Sequence, residues 1–121
     1  MPALLSITVH EGKGLAGGFL GRRDPYLIGT MGDQKFHTSA VNNNGKNPLW
    51  DQTFALPYNG EPTIEMEIYD RDRMRKDDLM GTGRIQLDIL QIQNFIQYDV
   101  PIEKRGKPAG IVRITLSLAV S

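Results

Sequence analysis

The sequence contains no cysteine, which excludes a disulfide framework, a thiolate metal site and a cysteine nucleophile. It also has no excess of one charge, since 14 lysines and arginines balance 14 aspartates and glutamates. A general nucleic-acid-binding domain carries more basic than acidic residues, and this chain does not. No apolar run approaches the roughly 20 residues of a membrane span, and the first residues do not resemble a signal peptide. These absences predict a soluble intracellular protein that forms one domain, residues 1–121.

Apolar and polar residues alternate along much of the chain with the period of two that is typical of strands with one buried face. Eight segments show the pattern, three clearly and five weakly: 5–9, 64–69 and 112–118, then 24–31, 34–41, 49–56, 81–89 and 95–102. Pro101 limits the segment at 95–102 to a sheet edge. The one helical candidate, residues 88–94, is too short to organise a fold. The sequence therefore predicts an all-β protein, an antiparallel β-sandwich or barrel.

A glycine motif near the start invites a different interpretation. Residues 12–17, GKGLAG, match the G-x-G-x-x-G pattern of dinucleotide-binding loops. That motif requires a helix to begin at its third glycine, and the next residues, GFLGRRDPY, contain further glycines and a proline. His10 and His37 lie in strand patterns, with no serine or aspartate at a suggestive spacing. We therefore expect the glycines to mark loops and the protein not to be an enzyme.

The stretch YDRDRMRKDDLMG, residues 69–81, mixes four aspartates with four cations directly behind a predicted strand. Asp70 and Asp72 are two residues apart, so their side chains leave the strand on the same side. Asp78 follows across the basic loop, and Asp24 opens another predicted strand, 24–31. Converging carboxylates repel one another unless a cation lies between them. Calcium accepts about 6 to 8 oxygen ligands with loose geometry, which suits such loops.

The alternative is a solvated loop that neutralises itself. Exposed pairs of opposite charge are common and contribute little to stability. The cations available for such pairs are Arg71, Arg73, Arg75 and Lys76. On the composition of this loop alone, a metal site and a self-neutralised loop both remain open.

Five linked motifs bear on this choice. They are Gly14-Leu15, Asp24-Pro25-Tyr26, Asn47-Pro48 with Trp50 and Phe54, Tyr69-Asp70-x-Asp72, and Asp78-x-x-Gly81. In this order they resemble the C2 domain, and the resemblance covers essentially the whole chain. The chain opens on a first strand with Gly14-Leu15 and ends on GIVRITLSLAV, which looks like the permuted, type II topology of that family. The short length is similar to that of small single-C2 proteins of plants. The resemblance implies an eight-stranded Greek-key sandwich.

The resemblance also implies a function, calcium-dependent docking onto anionic phospholipid membranes through loops at one end of the sandwich. Its implied calcium ligands are Asp24, Asp70, Asp72 and Asp78. A further aspartate is expected six residues before Asp24, where this chain has Gly18. The departure implies weaker calcium binding. It also favours the alternative function, a calcium-independent domain that interacts with a protein or serves as a scaffold.

Apolar and basic residues on the same loops complete the expected membrane site. The residues implied to contact the membrane are Phe19, Leu20, Arg22, Arg73, Met74 and Arg75. The implied location is the cytoplasm, with reversible membrane association in signalling or trafficking. A second, lysine-rich lipid site of the family is not expected, because Lys35 and His37 stand where two lysines are needed. The basic residues Lys104, Arg105 and Lys107 are predicted to form a solvated turn.

Overall fold

β-strands are the main secondary structure in this computed structural model, which describes residues 3–15, 23–41 and 46–120. Within these ranges it has eight strands and one 3₁₀ turn, Asp88–Gln91. The strands are β1 Ala3–Lys13, β2 Pro25–Met31, β3 Gln34–His37, β4 Leu49–Pro57, β5 Thr63–Asp70, β6 Asp78–Gln86, β7 Phe95–Lys104 and β8 Lys107–Val120. All neighbouring strands pair antiparallel. The predicted all-β class is confirmed.

The strands follow one another in the order β3-β2-β5-β6-β7-β8-β1-β4. Between β6 and β7 only Thr82 and Glu103 are paired, so the sheet divides there into two four-stranded halves. Residues from both halves form one apolar core, in which Leu5, Ile68 and Ile114 are fully buried. This arrangement confirms the predicted sandwich. The weak pairing of β7 with β6 also agrees with the edge position expected from Pro101.

β3 ends at His37, four residues before the predicted end, and the reason lies in a threonine. The backbone N–H of Thr38 donates to the Leu27 carbonyl at 2.9 Å. In return, the Leu27 N–H donates to the hydroxyl oxygen of Thr38 at 3.0 Å, and Thr38 is buried. A side-chain oxygen thus replaces the backbone acceptor that a longer strand would supply. Alternation alone cannot predict this exchange.

The glycine motif belongs to a strand and its turn. β1 continues through Gly12 to Lys13, and Gly14 follows with a φ of +60°, a conformation that favours glycine. Gly17 lies outside the described residues. The first two glycines therefore end a strand, as expected, and do not open a helix.

The motif Asn47-Pro48 with Trp50 fixes the start of β2. The indole N–H of Trp50 donates to the Pro25 carbonyl at 3.0 Å. The Asn47 side chain accepts the Gly14 N–H at 3.0 Å, and the Pro48 carbonyl accepts the Gly12 N–H at 2.9 Å. These bonds tie the end of β1 and the start of β2 to the first residues of β4 and the two residues before it. Asp24, directly before Pro25, is therefore attached to a fixed point of the fold.

One end of the sandwich, here called the loop end, collects the polar segments of interest. β5 ends there at Asp70 and β6 begins there at Asp78, because these two residues are paired across the strands. β2 begins at the same end, since Pro25 is paired with Asp70. β7 ends and β8 begins there as well, at the turn of Arg105 and Gly106.

Candidate functional site

Three of the four aspartates predicted as ligands lie side by side at the loop end. Asp70 is paired with Pro25 on one side and with Asp78 on the other. Asp24 precedes Pro25 directly. Since neighbouring strands are about 4.8 Å apart, the three backbones are close. The Asp24 N–H donates to Oδ1 of Asp70 at 2.9 Å, and the Arg71 N–H donates to the Asp24 carbonyl at 3.1 Å.

Asp72, the fourth predicted ligand, shapes the tip of the loop between β5 and β6. Its Oδ1 accepts the N–H groups of Met74, at 2.8 Å, and of Arg75, at 3.2 Å. An aspartate that accepts from the backbone two and three residues ahead closes a turn. Met74 stands on this turn with 90% of its surface exposed. Arg73 and Arg75 beside it are exposed as well.

Asp77 has a structural role that the sequence did not indicate. Its Oδ1 accepts the Asp72 N–H at 2.9 Å, and its Oδ2 accepts a hydrogen bond from the Tyr26 hydroxyl. The Asp72 N–H, and then the Tyr26 hydroxyl, lower the pKa of Asp77. Burial, and then the bond to Asp77, raise the pKa of Tyr26 to about 12. Tyr26 and Asp77 are 51 positions apart, so no local pattern predicts their contact.

Tyr26 is itself held by a second aromatic ring. It is paired across the strands with Tyr69, and the two rings stack with centroids 5.7 Å apart. Such pairs stabilise neighbouring strands beyond the area that they bury. The stack places the Tyr26 hydroxyl under the loop. The loop between β5 and β6 therefore rests on β2 through one hydrogen bond and one aromatic pair.

The cations of this loop do not neutralise its aspartates in the structure. Among the described residues, Arg71, Arg73, Arg75 and Lys76 form no ion pair. The cation that does pair with one of the predicted ligands is Arg23, whose Nη1 lies 3.6 Å from Oδ2 of Asp70. The carboxylates instead accept backbone N–H groups and a hydroxyl. The loop thus exposes its cations, while its carboxylates accept hydrogen bonds from the backbone of the same loop and from Tyr26 of β2.

The fit to calcium is good in chemistry and in backbone placement. Four carboxylates and no nitrogen or sulfur donors form the oxygen-rich set that calcium takes. In the conformation described here, however, no three acidic or histidine side chains of the described ranges are positioned to hold a metal ion. Asp70 and Asp72 point instead at the N–H donors named above. Holding one ion between these carboxylates therefore requires a different arrangement of their side chains.

The remaining residues predicted for this site cannot be compared with the structure. Gly18, Phe19, Leu20 and Arg22 lie outside the described residues. Of the residues predicted to contact a membrane, the described ones are Arg73, Met74 and Arg75. All three project from the loop end. No helix in the described part of the chain is long and apolar enough to cross a membrane.

The family model for the C2 domain matches residues 3–101 of the chain. The chain belongs to the C2 domain family. The match ends before β8, Lys107–Val120, but β8 pairs with both β1 and β7 and completes the C2 sandwich. In general C2 domains are non-catalytic modules that bind phospholipid membranes or proteins. The family resemblance of the sequence motifs is confirmed.

Relatives with similar sequences include several plant proteins. The C2 domain described here is 33% identical over 114 residues to the Protein C2-DOMAIN ABA-RELATED 4 of Arabidopsis thaliana, a match that covers 93% of this chain and 60% of that protein. It is 35% identical over 89 residues to the Probable ADP-ribosylation factor GTPase-activating protein AGD13 of the same plant. That match covers 72% of this chain and 26% of the relative. The chain thus spans only part of these longer proteins.

Solved structures agree with these relatives. A C2 domain-containing protein from a putative elicitor-responsive gene superposes with a TM-score of 0.81 at 25% identity, over 96% of this chain and 88% of that one. The calcium-bound tandem C2 domains of Extended-Synaptotagmin 2 give a TM-score of 0.84 at 25% identity, over 98% of this chain and 46% of that one. The similarity to small plant C2 proteins that the sequence indicated is confirmed.

Proposed function

We propose that this C2 domain binds anionic phospholipid membranes in a calcium-dependent manner through its loop end. The observation that carries the proposal is the register that brings Asp24, Asp70 and Asp78 to adjacent strand ends, with Asp72 in the loop that joins two of these strands. The calcium-bound structure of Extended-Synaptotagmin 2 supports it, because that related protein was solved with the ion.

In this proposal Asp24, Asp70, Asp72 and Asp78 hold calcium, which supplies positive charge that lipid phosphates can bind. The chain's own part is to orient these carboxylates and to present apolar and basic side chains to the bilayer. Met74 enters the interface, and Arg73 and Arg75 meet the headgroups, each cation contributing about 1 kcal/mol near an anionic leaflet. Phe19, Leu20 and Arg22 of the first loop are proposed to act with them. The domain is then cytoplasmic and associates reversibly with membranes, in signalling or trafficking. It is not an enzyme.

The test is co-sedimentation with phosphatidylserine vesicles, with calcium and with EGTA, together with melting curves under both conditions. Calcium bound only to the folded state raises the melting temperature. We expect this rise, and sedimentation that depends on calcium and weakens with salt. An unchanged melting curve at millimolar calcium would refute the calcium assignment.

A second function, calcium-independent binding of a protein partner, has one observation in its favour. Asp70 already contacts Arg23 and accepts the Asp24 N–H. A cation from the chain thus occupies the place beside Asp70 that an ion would take. If the melting curve does not respond to calcium and vesicles do not bind, the protein-binding function is the better proposal.

A further inference from the structure

An open groove lies at the loop end beside the proposed calcium site. Its volume is about 550 Å³, within the range of roughly 300–1,000 Å³ that small-ligand sites occupy. The lining residues are Arg23, Asp78, Leu79, Thr82, Glu103, Lys104 and Arg105. Three cations and two carboxylates line it, and a third carboxylate, Asp70, pairs with Arg23, so the cations without an ion pair to another described residue are Lys104 and Arg105. It lies between β6 and β7, where the two halves of the sandwich separate. The pairing of Thr82 with Glu103 is the single pairing of these two strands.

Arg23 forms one wall of the groove and has unused capacity to donate hydrogen bonds. Only 14% of its side chain is exposed. Its Nε is buried and has no hydrogen-bond partner among the described residues. Its ion pair with Asp70 is 3.6 Å long, which exceeds a hydrogen bond. The buried Nε cannot reach a ligand, so an anion in the groove would bind the terminal N–H groups of the guanidinium.

The opposite wall is the hairpin turn between β7 and β8, which holds its cations in fixed positions. Arg105 and Gly106 both have positive φ, +54° and +76°, as in a two-residue turn that matches the twist of the strands. Lys104 is paired across the strands with Lys107, and like charges in this relation repel. Neither Lys104 nor Arg105 forms an ion pair with another described residue.

We propose that the groove binds the phosphate group of an anionic membrane lipid, with Arg23 on one side and Lys104 and Arg105 on the other. Arginine suits a phosphate because its planar fork donates two parallel hydrogen bonds to the oxygens. The lipid source follows from the position of the groove at the same end as exposed Met74, Arg73 and Arg75. The inference deepens the proposed function and rests on it for the orientation of the loop end toward the membrane. Lys104, Arg105 and Lys107 lie exposed at the turn expected from the sequence, and the proposal assigns a ligand to the first two.

The hairpin offers a matched control for the experiment. Lys107 lies on the same turn and carries the same charge as Lys104, but it does not line the groove. Vesicles of phosphatidylcholine with phosphatidic acid, in EGTA, are the probe. Lys104→Gln and Arg105→Asn are each expected to weaken partitioning about fivefold, and Lys107→Gln by less than about twofold. Asparagine tolerates positive φ, so Arg105→Asn preserves the turn.

Two results would overturn the proposal. Equal losses from Lys104→Gln and Lys107→Gln mean that only diffuse charge acts. An unchanged affinity in Arg23→Gln means that the other wall does not take part. A melting curve like that of the parent protein, required of each variant, excludes a fold defect as the cause.

Inorganic phosphate separates the possible sources of the ligand. Under the proposal, it shifts the backbone amide NMR signals of Arg23 and Arg105 at millimolar concentration and competes with the vesicles. Shifts without any vesicle binding in EGTA overturn the lipid source and assign a soluble phosphate instead. Calcium titration of Lys104→Gln by calorimetry is expected to match the parent protein. A variant that no longer binds phosphate in the groove is therefore expected to bind calcium normally, and a protein that does not bind calcium can still bind phosphate there. Failure of this proposal and failure of the proposed function are thus distinguishable.

Discussion

The loop end and the outer face of the β7-β8-β1-β4 half treat their charges in opposite ways. On the outer face, Arg113 lies between two carboxylates, at 3.2 Å from Glu11 and 3.1 Å from Asp99. At the loop end, Asp72 and Asp77 accept backbone N–H groups, and the cations of the same loop form no ion pairs among the described residues. The chain as a whole is neutral, but on the outer face a cation pairs with carboxylates, whereas in the loop between β5 and β6 the carboxylates bind the backbone.

The difference arises from what each backbone fixes. Paired strands set cross-strand side chains at constant spacing, so Arg113 and Asp99 meet because they are partners in the register. In a loop, a short carboxylate reaches the N–H groups of its own turn before it reaches a long, mobile cation. The aspartates of residues 71–77 thus stabilise the turn, and the arginines are left for an external partner. The charged side chains of one segment can therefore lack ion pairs with one another, even in a protein whose net charge is zero.

The largest expected effect comes from replacing a carboxylate of the loop, compared with a carboxylate that is paired with a cation on the strands. Asp72→Asn is expected to lower calcium affinity roughly tenfold or more, because ligand charge tunes such sites, and to abolish calcium-dependent sedimentation. Glu65→Gln removes a carboxylate of the same charge, one that pairs with Arg84 at 2.7 Å on the strands, and is expected to change neither. Calorimetry and vesicle sedimentation measure both. Equal behaviour of the two variants would mean that the loop carboxylates have no special role.

The next effect concerns exposed apolar side chains in different regions. Met74 is 90% exposed at the loop end, and Phe95 is 58% exposed at the start of β7, at the opposite end of the strand from the Arg105 turn. Met74→Ala is expected to weaken vesicle binding about tenfold, since burying a methionine stabilises by roughly 1.5–3 kcal/mol. Phe95→Ala is expected to have no effect on this binding. Both variants should bind calcium in solution like the parent protein, and a stronger effect of Phe95→Ala would place the membrane contact elsewhere.

A smaller effect is expected on stability, from the hydrogen bond that anchors the loop. Tyr26→Phe keeps the stacking on Tyr69 and removes the hydroxyl that Asp77 accepts. The expected cost is about 1 kcal/mol of unfolding free energy, typical of one hydrogen bond. Tyr98→Phe is the matched control, because Tyr98 is a partly exposed tyrosine on β7 and has no such hydrogen bond among the described side chains. Denaturant unfolding measures the stability of both variants. If both lose the same free energy of unfolding, the hydrogen bond from Tyr26 to Asp77 contributes nothing.

The smallest effect is expected on the outer face. Arg113→Gln removes the cation between Glu11 and Asp99 and leaves a polar side chain of similar length. The stability loss should be slight at low salt and disappear near 1 M salt, where screening acts within about 3 Å. The Tyr26→Phe loss should persist in the same salt, because the hydroxyl that donates to Asp77 is neutral and salt screens chiefly the attraction between two charges. Salt dependence of both losses would erase the distinction between the two regions.

The sequence predicted the strands well because a one-sided sheet imposes a period of two on its side chains. Leu5, Ile7 and Val9 alternate in the sequence and are fully buried in the structure. The boundaries were less predictable, since the end of β3 depends on the hydroxyl of Thr38, which takes the place of a backbone acceptor. The family motifs could be found because each is a short run of residues. The contacts that they make are not local, since Trp50 donates to the carbonyl of Pro25, 25 positions away.

By itself, the sequence determined the all-β class, the C2 family and the positions at which Asp24, Asp70, Asp72 and Asp78 occur, because alternation and short motifs are local properties of the chain. Only the tertiary structure decided which groups those carboxylates contact. It joined Asp77 to Tyr26 across 51 positions. It also set Arg23 and the turn at Arg105 on two walls of one groove. Contacts of this kind depend on strand order and register, which bring distant segments together and which no local pattern encodes.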